Sequence, residues 1–87
     1  MFNKMIDKYI NKLTKDDIII FSKKENILLN NDEIDIIFNT IKKEYKTLLY
    51  GNSDNIFNNI KNKINNESYF KIKNLYDFYK QKYSNYL

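Results

Sequence analysis

The chain has 87 residues, a formal net charge of +4 and a pI of about 9.2, with 43% hydrophobic and 30% charged residues. Eight Tyr, six Phe and many Ile and Leu give enough apolar surface to offset the entropy of ordering, which excludes a disordered chain and fits one compact domain. Cys, His, Trp, Pro, Arg, Ala and Val are all absent, which excludes a disulfide framework, a zinc site built from the usual nitrogen and sulfur ligands, and His-based catalysis.

Met1 to Leu13 carry Phe2, Met5, Ile6, Tyr9, Ile10 and Leu13 at steps of three and four, with Lys4, Asp7, Lys8, Asn11 and Lys12 on the other face. This spacing predicts a first helix over 2–13. The segment has no continuous apolar core, so neither a secretion signal nor a membrane anchor is expected, and the expected location is the cytoplasm. Nowhere does an apolar run approach the roughly 20 residues that span a bilayer.

Thr14 is a natural N-cap, and Asp17 stands three residues on, where a capping box places its acid. Leu13 and Ile18 flank the cap as a hydrophobic staple. A second helix is therefore expected from Lys15 to about Glu25. The run Ile18-Ile19-Ile20-Phe21 also suits a buried strand, but the cap signals favour helix. Asn26 is suited to the left-handed residue that ends it.

The same grammar repeats. Asn30 and Glu33 form the next box, with Leu29 and Ile34 as the staple pair. Ile34, Ile37, Phe38, Ile41, Tyr45 and Leu48 make the stripe of a third helix, ending near Tyr50 because Gly51, the only glycine, suits the position after a helix. Asn52, Ser53 and Asp54 open a short fourth helix bearing Ile56, Phe57, Ile60 and Ile64. A fifth is expected over about 67–83, with Tyr69, Ile72, Leu75, Tyr76, Tyr79 and Tyr83 on one face. The fold expected is all-α: a small single-domain bundle of about five short helices over 1–87.

With these elements placed, the chain resembles a small all-helical family of low-GC Gram-positive bacteria known only as a domain of unknown function. The matching points are Leu13-Thr14-Lys15-Asp16-Asp17-Ile18, Asn26-Ile27-Leu28-Leu29-Asn30 and Asn55-Ile56-Phe57, in order over almost the whole chain; Asn26 departs from the Gly expected there. The resemblance implies a helical bacterial protein of the cytosol. It implies no activity, ligand or catalytic residue.

No catalytic, cofactor-binding or metal-binding residue is expected, nor a small-molecule substrate. One Gly cannot build a phosphate loop, the hydroxyls lack a His partner, and Asp16-Asp17 and Asp32-Glu33-Asp35 fall in first helical turns, where the dipole favours acids. The chain is thus read as a non-enzyme.

Every basic residue is Lys, and Lys, Asn, Ile, Tyr and Phe abound together, the signature of an A/T-rich genome. The Lys/Tyr-rich end from Lys61 to Tyr86 can be read in two ways. Tyr rings and ammonium groups can hold a nucleic-acid strand, with Lys71, Lys73, Lys80 and Lys82 as its contacts. Yet these lysines flank the Ile72–Tyr83 stripe on both sides, as snorkelling side chains around a buried face do. The segment 15–50 also admits a helix-turn-helix reading, although Asp32, Glu33 and Asp35 would then face phosphates. The leading expectation is a small helical adaptor that binds a protein partner or a second copy. Tyr79, Tyr83 and Tyr86 are its interface, since aliphatic residues come early in the last stripe and tyrosines late.

Overall fold

The computed structural model describes the backbone of residues 2–83 and the side chains of residues 4–82. Five helices follow one another: α1 (Phe2–Lys12), α2 (Lys15–Lys24), α3 (Asn31–Tyr50), α4 (Asp54–Lys61) and α5 (Asn66–Tyr83), with no strand among the described residues. The Ile18–Phe21 run is helical, inside α2.

Two helix starts rest on local side-chain chemistry. Thr14 Oγ1 accepts from the Asp17 N–H at 3.2 Å while Asp17 Oδ2 accepts from the Thr14 N–H at 2.9 Å. Asn30 Oδ1 accepts from the Glu33 N–H at 2.8 Å and Glu33 Oε1 from the Asn30 N–H at 2.9 Å. Both capping boxes are complete. Asn26, with φ 58, ends α2 in the left-handed region that Asn tolerates better than branched residues.

Two other termini differ from the expectation. Gly51 is extended (φ −117, ψ −164), not left-handed, and acts as the C-cap of α3. Its lack of a side chain matters for space: a Cβ there would lie 3.3 Å from Thr47 Cγ2 and from the Thr47 carbonyl oxygen. Ser53 makes no side-chain cap for α4; Asn52 Oδ1 instead accepts from the Asp54 N–H at 2.9 Å. α5 begins at a cap not foreseen, because Asn65 Oδ1 accepts from the Ser68 N–H at 2.9 Å.

α3 is the spine. At 1.5 Å per residue its 20 residues run nearly the length of a body measuring 35 × 24 × 22 Å. α1, α2 and α4 pack on it, and α5 packs on α4. The core is Ile18, Ile34, Ile37, Phe57, Ile60, Ile64 and Tyr69, with both staple pairs contributing to it or packing against it. Phe57 meets Tyr69 edge-on, ring centroids 6.3 Å apart, and Tyr76 at 4.9 Å.

A polar node ties the two ends of this arrangement. Glu33, 8% exposed, accepts from the Asn65 N–H at 2.6 Å and the Asn65 side-chain amide at 3.2 Å, besides its bond within the capping box. The Asn65 amide and Ser68 Oγ both donate to the Leu28 carbonyl, at 2.9 and 2.6 Å. The α2–α3 turn and the α4–α5 turn are thereby fastened through a buried carboxylate whose lone pairs are filled by N–H groups, the condition under which burial of a charge is tolerated. The Asn30 backbone N–H and then the Asn65 donors outweigh desolvation and hold the Glu33 carboxyl below its ordinary value of 4.5.

Candidate interaction surface

α2 cannot hide its apolar run. At 100° per residue, four consecutive apolar positions sweep most of the way round a helix. Ile18 and Ser22, one turn apart, face inward and are buried, while Ile20 and Phe21 are left outside. The Ser22 hydroxyl satisfies itself on the Ile19 carbonyl at 2.8 Å.

Phe21 reaches the place where the C-terminal half of α3 and the middle of α5 face each other. Tyr76 bridges them, its hydroxyl donating to the Leu48 carbonyl. Beside this bridge lies an open apolar groove of about 380 Å³ walled by Phe21, Leu48, Leu49, Ile72, Leu75, Tyr76 and Tyr79, with Lys80 at its edge. A second hollow of about 440 Å³ adjoins it, lined by Tyr9, Lys12, Leu13, Asp17, Ile20, Phe21 and Lys24. Phe21 lines both, so it forms the ridge between them. Tyr9, Ile20, Phe21 and Tyr79 are 71, 65, 46 and 44% exposed.

Of the three tyrosines singled out in the sequence, Tyr79 lines this groove and meets the Phe78 ring edge-on at 5.3 Å. The backbone of Tyr83 ends α5, but its side chain, and Tyr86 altogether, lie outside the described residues. The opposite wall, Phe21, Leu48 and Leu49, was missed. For Phe21 the signal was present: a helix with four apolar residues in a row must show some of them to solvent.

The four lysines do not share one basic face. The Lys71 ammonium donates to the Asn26 carbonyl at 2.8 Å and stands 3.7 Å from Glu67. Lys80 donates to the Gly51 carbonyl at 2.8 Å and to the Tyr76 hydroxyl at 3.1 Å. Lys73 donates to Asp77 at 2.7 Å, which holds its pKa above the ordinary 10.5, and its ammonium stands 4.9 Å from the Phe57 ring centroid. Lys82 is exposed, 5.7 Å from the Phe78 ring centroid.

In the helix-turn-helix reading, α3 would expose Asn31, Asp35, Asn39 and Lys42 or Lys43. Asp35 is bridged to Lys15 at 2.8 Å, and Lys42 is turned onto α1, donating to the Asn11 carbonyl at 3.2 Å and to that of Ile10. A hollow of about 460 Å³ between α3 and α4 is lined by Asn39, Lys43, Glu44, Asn55, Asn59 and Lys63 among others. Its carboxylate stands alone among carboxamides and ammonium groups, so no pair of acids converges there for acid–base work. No group of three or more carboxylates converges anywhere among the described residues, and none of their helices is long and apolar enough to cross a membrane.

No family model, curated protein or solved structure matches the chain.

Proposed function

We propose that this chain is a small non-enzymatic helical adaptor of the bacterial cytosol, acting through a protein partner seated on the Phe21–Tyr79 groove. One observation carries the reading: an open groove walled almost wholly by apolar side chains, whereas the hollow between α3 and α4 mixes amides, ammonium groups and the Glu44 carboxylate with isoleucines. Contiguous apolar surface in water is costly and marks contact sites, and Tyr rings serve such sites by burying their faces with the hydroxyl left wet. The rival reading, a nucleic-acid module using Lys71, Lys73, Lys80 and Lys82, asks for ammonium groups directed at phosphates. Three of the four are already spent on carbonyls or carboxylates of the chain itself.

The test is position-dependent cross-linking in the native cytosol. A photoreactive phenylalanine analogue replaces Tyr79 in one variant and Asn74, exposed on the outer face of α5, in another. A discrete protein adduct from position 79 and none from position 74 is expected. No adduct from 79, or the same smear from both, overturns the proposal.

A further inference from the structure

Resting on that reading of the groove, we propose that its occupant is a second copy of this chain, paired about a twofold axis so that Phe21 of each copy enters the groove of the other. Shape supplies the first argument. A twofold contact uses one patch twice, so the patch must complement itself. Here ridge and groove lie side by side on one face, since Phe21 walls both hollows. The groove, at about 380 Å³, has room for an aromatic ring, and a rotation that brings one ridge over the neighbouring groove brings the other pair together as well.

Area gives the second argument. A large side chain offers about 200 Å² when free, so the exposures of Tyr9, Ile20, Phe21 and Tyr79 leave about 450 Å² of largely apolar side-chain surface open around the two hollows that share Phe21. The half-buried Leu49 and Leu75 add to it. That falls within the range of the largest, often functional, patch on a monomer, and two such faces supply about the area of a weak, reversible dimer rather than a permanent one.

Charge distinguishes this occupant from an acidic protein. The hollow next to the groove is rimmed by Lys12 and Lys24 together with Asp17. Both signs on one rim keep a twofold pairing from setting like charges against each other, and exposed Lys–Asp contacts there add little of their own. An acidic partner would need a continuous basic rim, and Lys80, the one cation at the groove itself, is held by Gly51 and Tyr76. The two pairings also differ in their response to salt. Two copies each carrying +4 repel at long range, and salt screens that repulsion, so added salt tightens self-association. It would loosen attachment of an acidic protein.

The experiment is sedimentation equilibrium of the purified full chain from about 10 µM to about 1 mM, a range that brackets the weak affinities such areas give, at low and at high salt. A reversible shift from the 10.6 kDa monomer to twice that mass is expected, at lower concentration in high salt. Phe21→Ser and Tyr79→Ser should each weaken pairing at least about tenfold while circular dichroism stays helical; Phe70→Ser, an exposed ring not lining the groove, should not. A monomer throughout overturns the second-copy proposal, as does pairing that weakens with salt or that Phe21→Ser and Phe70→Ser affect alike. Cross-linking from position 79 separates the two levels: an adduct with an unlike protein beside a strict monomer removes the second copy and leaves the adaptor reading, and no adduct removes both.

Discussion

The ammonium group of Lys80 donates at 2.8 Å to the carbonyl of Gly51, 29 residues earlier and at the C-terminus of α3. Lys42 does the same at the last carbonyls of α1, and Lys71 holds the carbonyl of the left-handed Asn26 in the turn that follows α2. Carbonyls at a helix C-terminus lack partners within the helix and carry the negative end of its dipole, so a cation brought from a distant helix both satisfies them and locks two elements together. Part of the lysine excess is therefore built into the fold, whatever codon bias contributes to the rest.

Replacing Lys42, Lys71 or Lys80 with Met, which keeps the apolar stem and deletes the donor, should lower stability by about 0.5–1 kcal/mol each, the net worth of one such hydrogen bond. The exposed Lys61 changed in the same way should stay within about 0.5 kcal/mol of the parent. Urea unfolding followed by circular dichroism measures both. Three neutral lysine variants would show that the trans caps contribute nothing.

The two capping boxes should not be equally important. Thr14→Ala removes an exposed cap and should cost about 0.5–1 kcal/mol. Asn30→Ala should cost about 2 kcal/mol, because its box shares the Glu33 carboxylate with Asn65 and loosens a buried node. Equal losses in urea unfolding would mean that the node is not coupled to the cap.

Caps were legible in the sequence because their chemistry spans three residues: Thr14 with Asp17, Asn30 with Glu33, and the left-handed Asn26. Helical stripes were legible for the same reason. What lay hidden is held by long-range contacts. Nothing local says that Glu33 meets Asn65, or that Ser68 meets Leu28 across 40 residues. Gly51 was expected just past α3 but is extended and caps it, while long-range donors take the carbonyls there: the Tyr76 hydroxyl that of Leu48, and Lys80 that of Gly51 itself. The groove was half legible. Tyr79 could be picked from the drift toward tyrosine along α5, whereas the run holding Phe21 was weighed only as helix against strand, without asking which of its residues a helix must leave outside.

Acid should unfold the protein partly through Glu33. Its folded carboxyl, stabilised as the anion by the Asn30 and Asn65 donors, titrates below its ordinary value of 4.5. The unfolded chain then binds this proton more readily, so the stability Glu33 contributes is complete well above pH 4.5 and is lost as pH falls through the folded pKa. Glu33→Gln removes the titration. Its stability deficit at pH 7 should shrink as pH is lowered to about 3, read from urea midpoints across the range. A deficit independent of pH would remove Glu33 as an acid-sensitive group.

Tyr76 and Tyr79, three residues apart on α5, should respond unequally to truncation. Tyr76 packs 4.9 Å from Phe57, donates to Leu48 and receives a bond from Lys80. Tyr76→Ser removes a ring from the core edge and the bridge between α3 and α5, and should cost about 2–4 kcal/mol, as large-to-small changes at packed sites do. Tyr79 is 44% exposed and walls the groove without belonging to the core, so Tyr79→Ser should cost less than about 1 kcal/mol. Tyr76→Phe separates the parts of the first effect: it keeps the ring and leaves the Leu48 carbonyl without its donor, for about 1 kcal/mol. Melting temperatures and urea midpoints of the three variants decide the matter. If Tyr79→Ser is as damaging as Tyr76→Ser, the ring at 79 closes the core, and the groove loses its standing as a surface kept open for a partner.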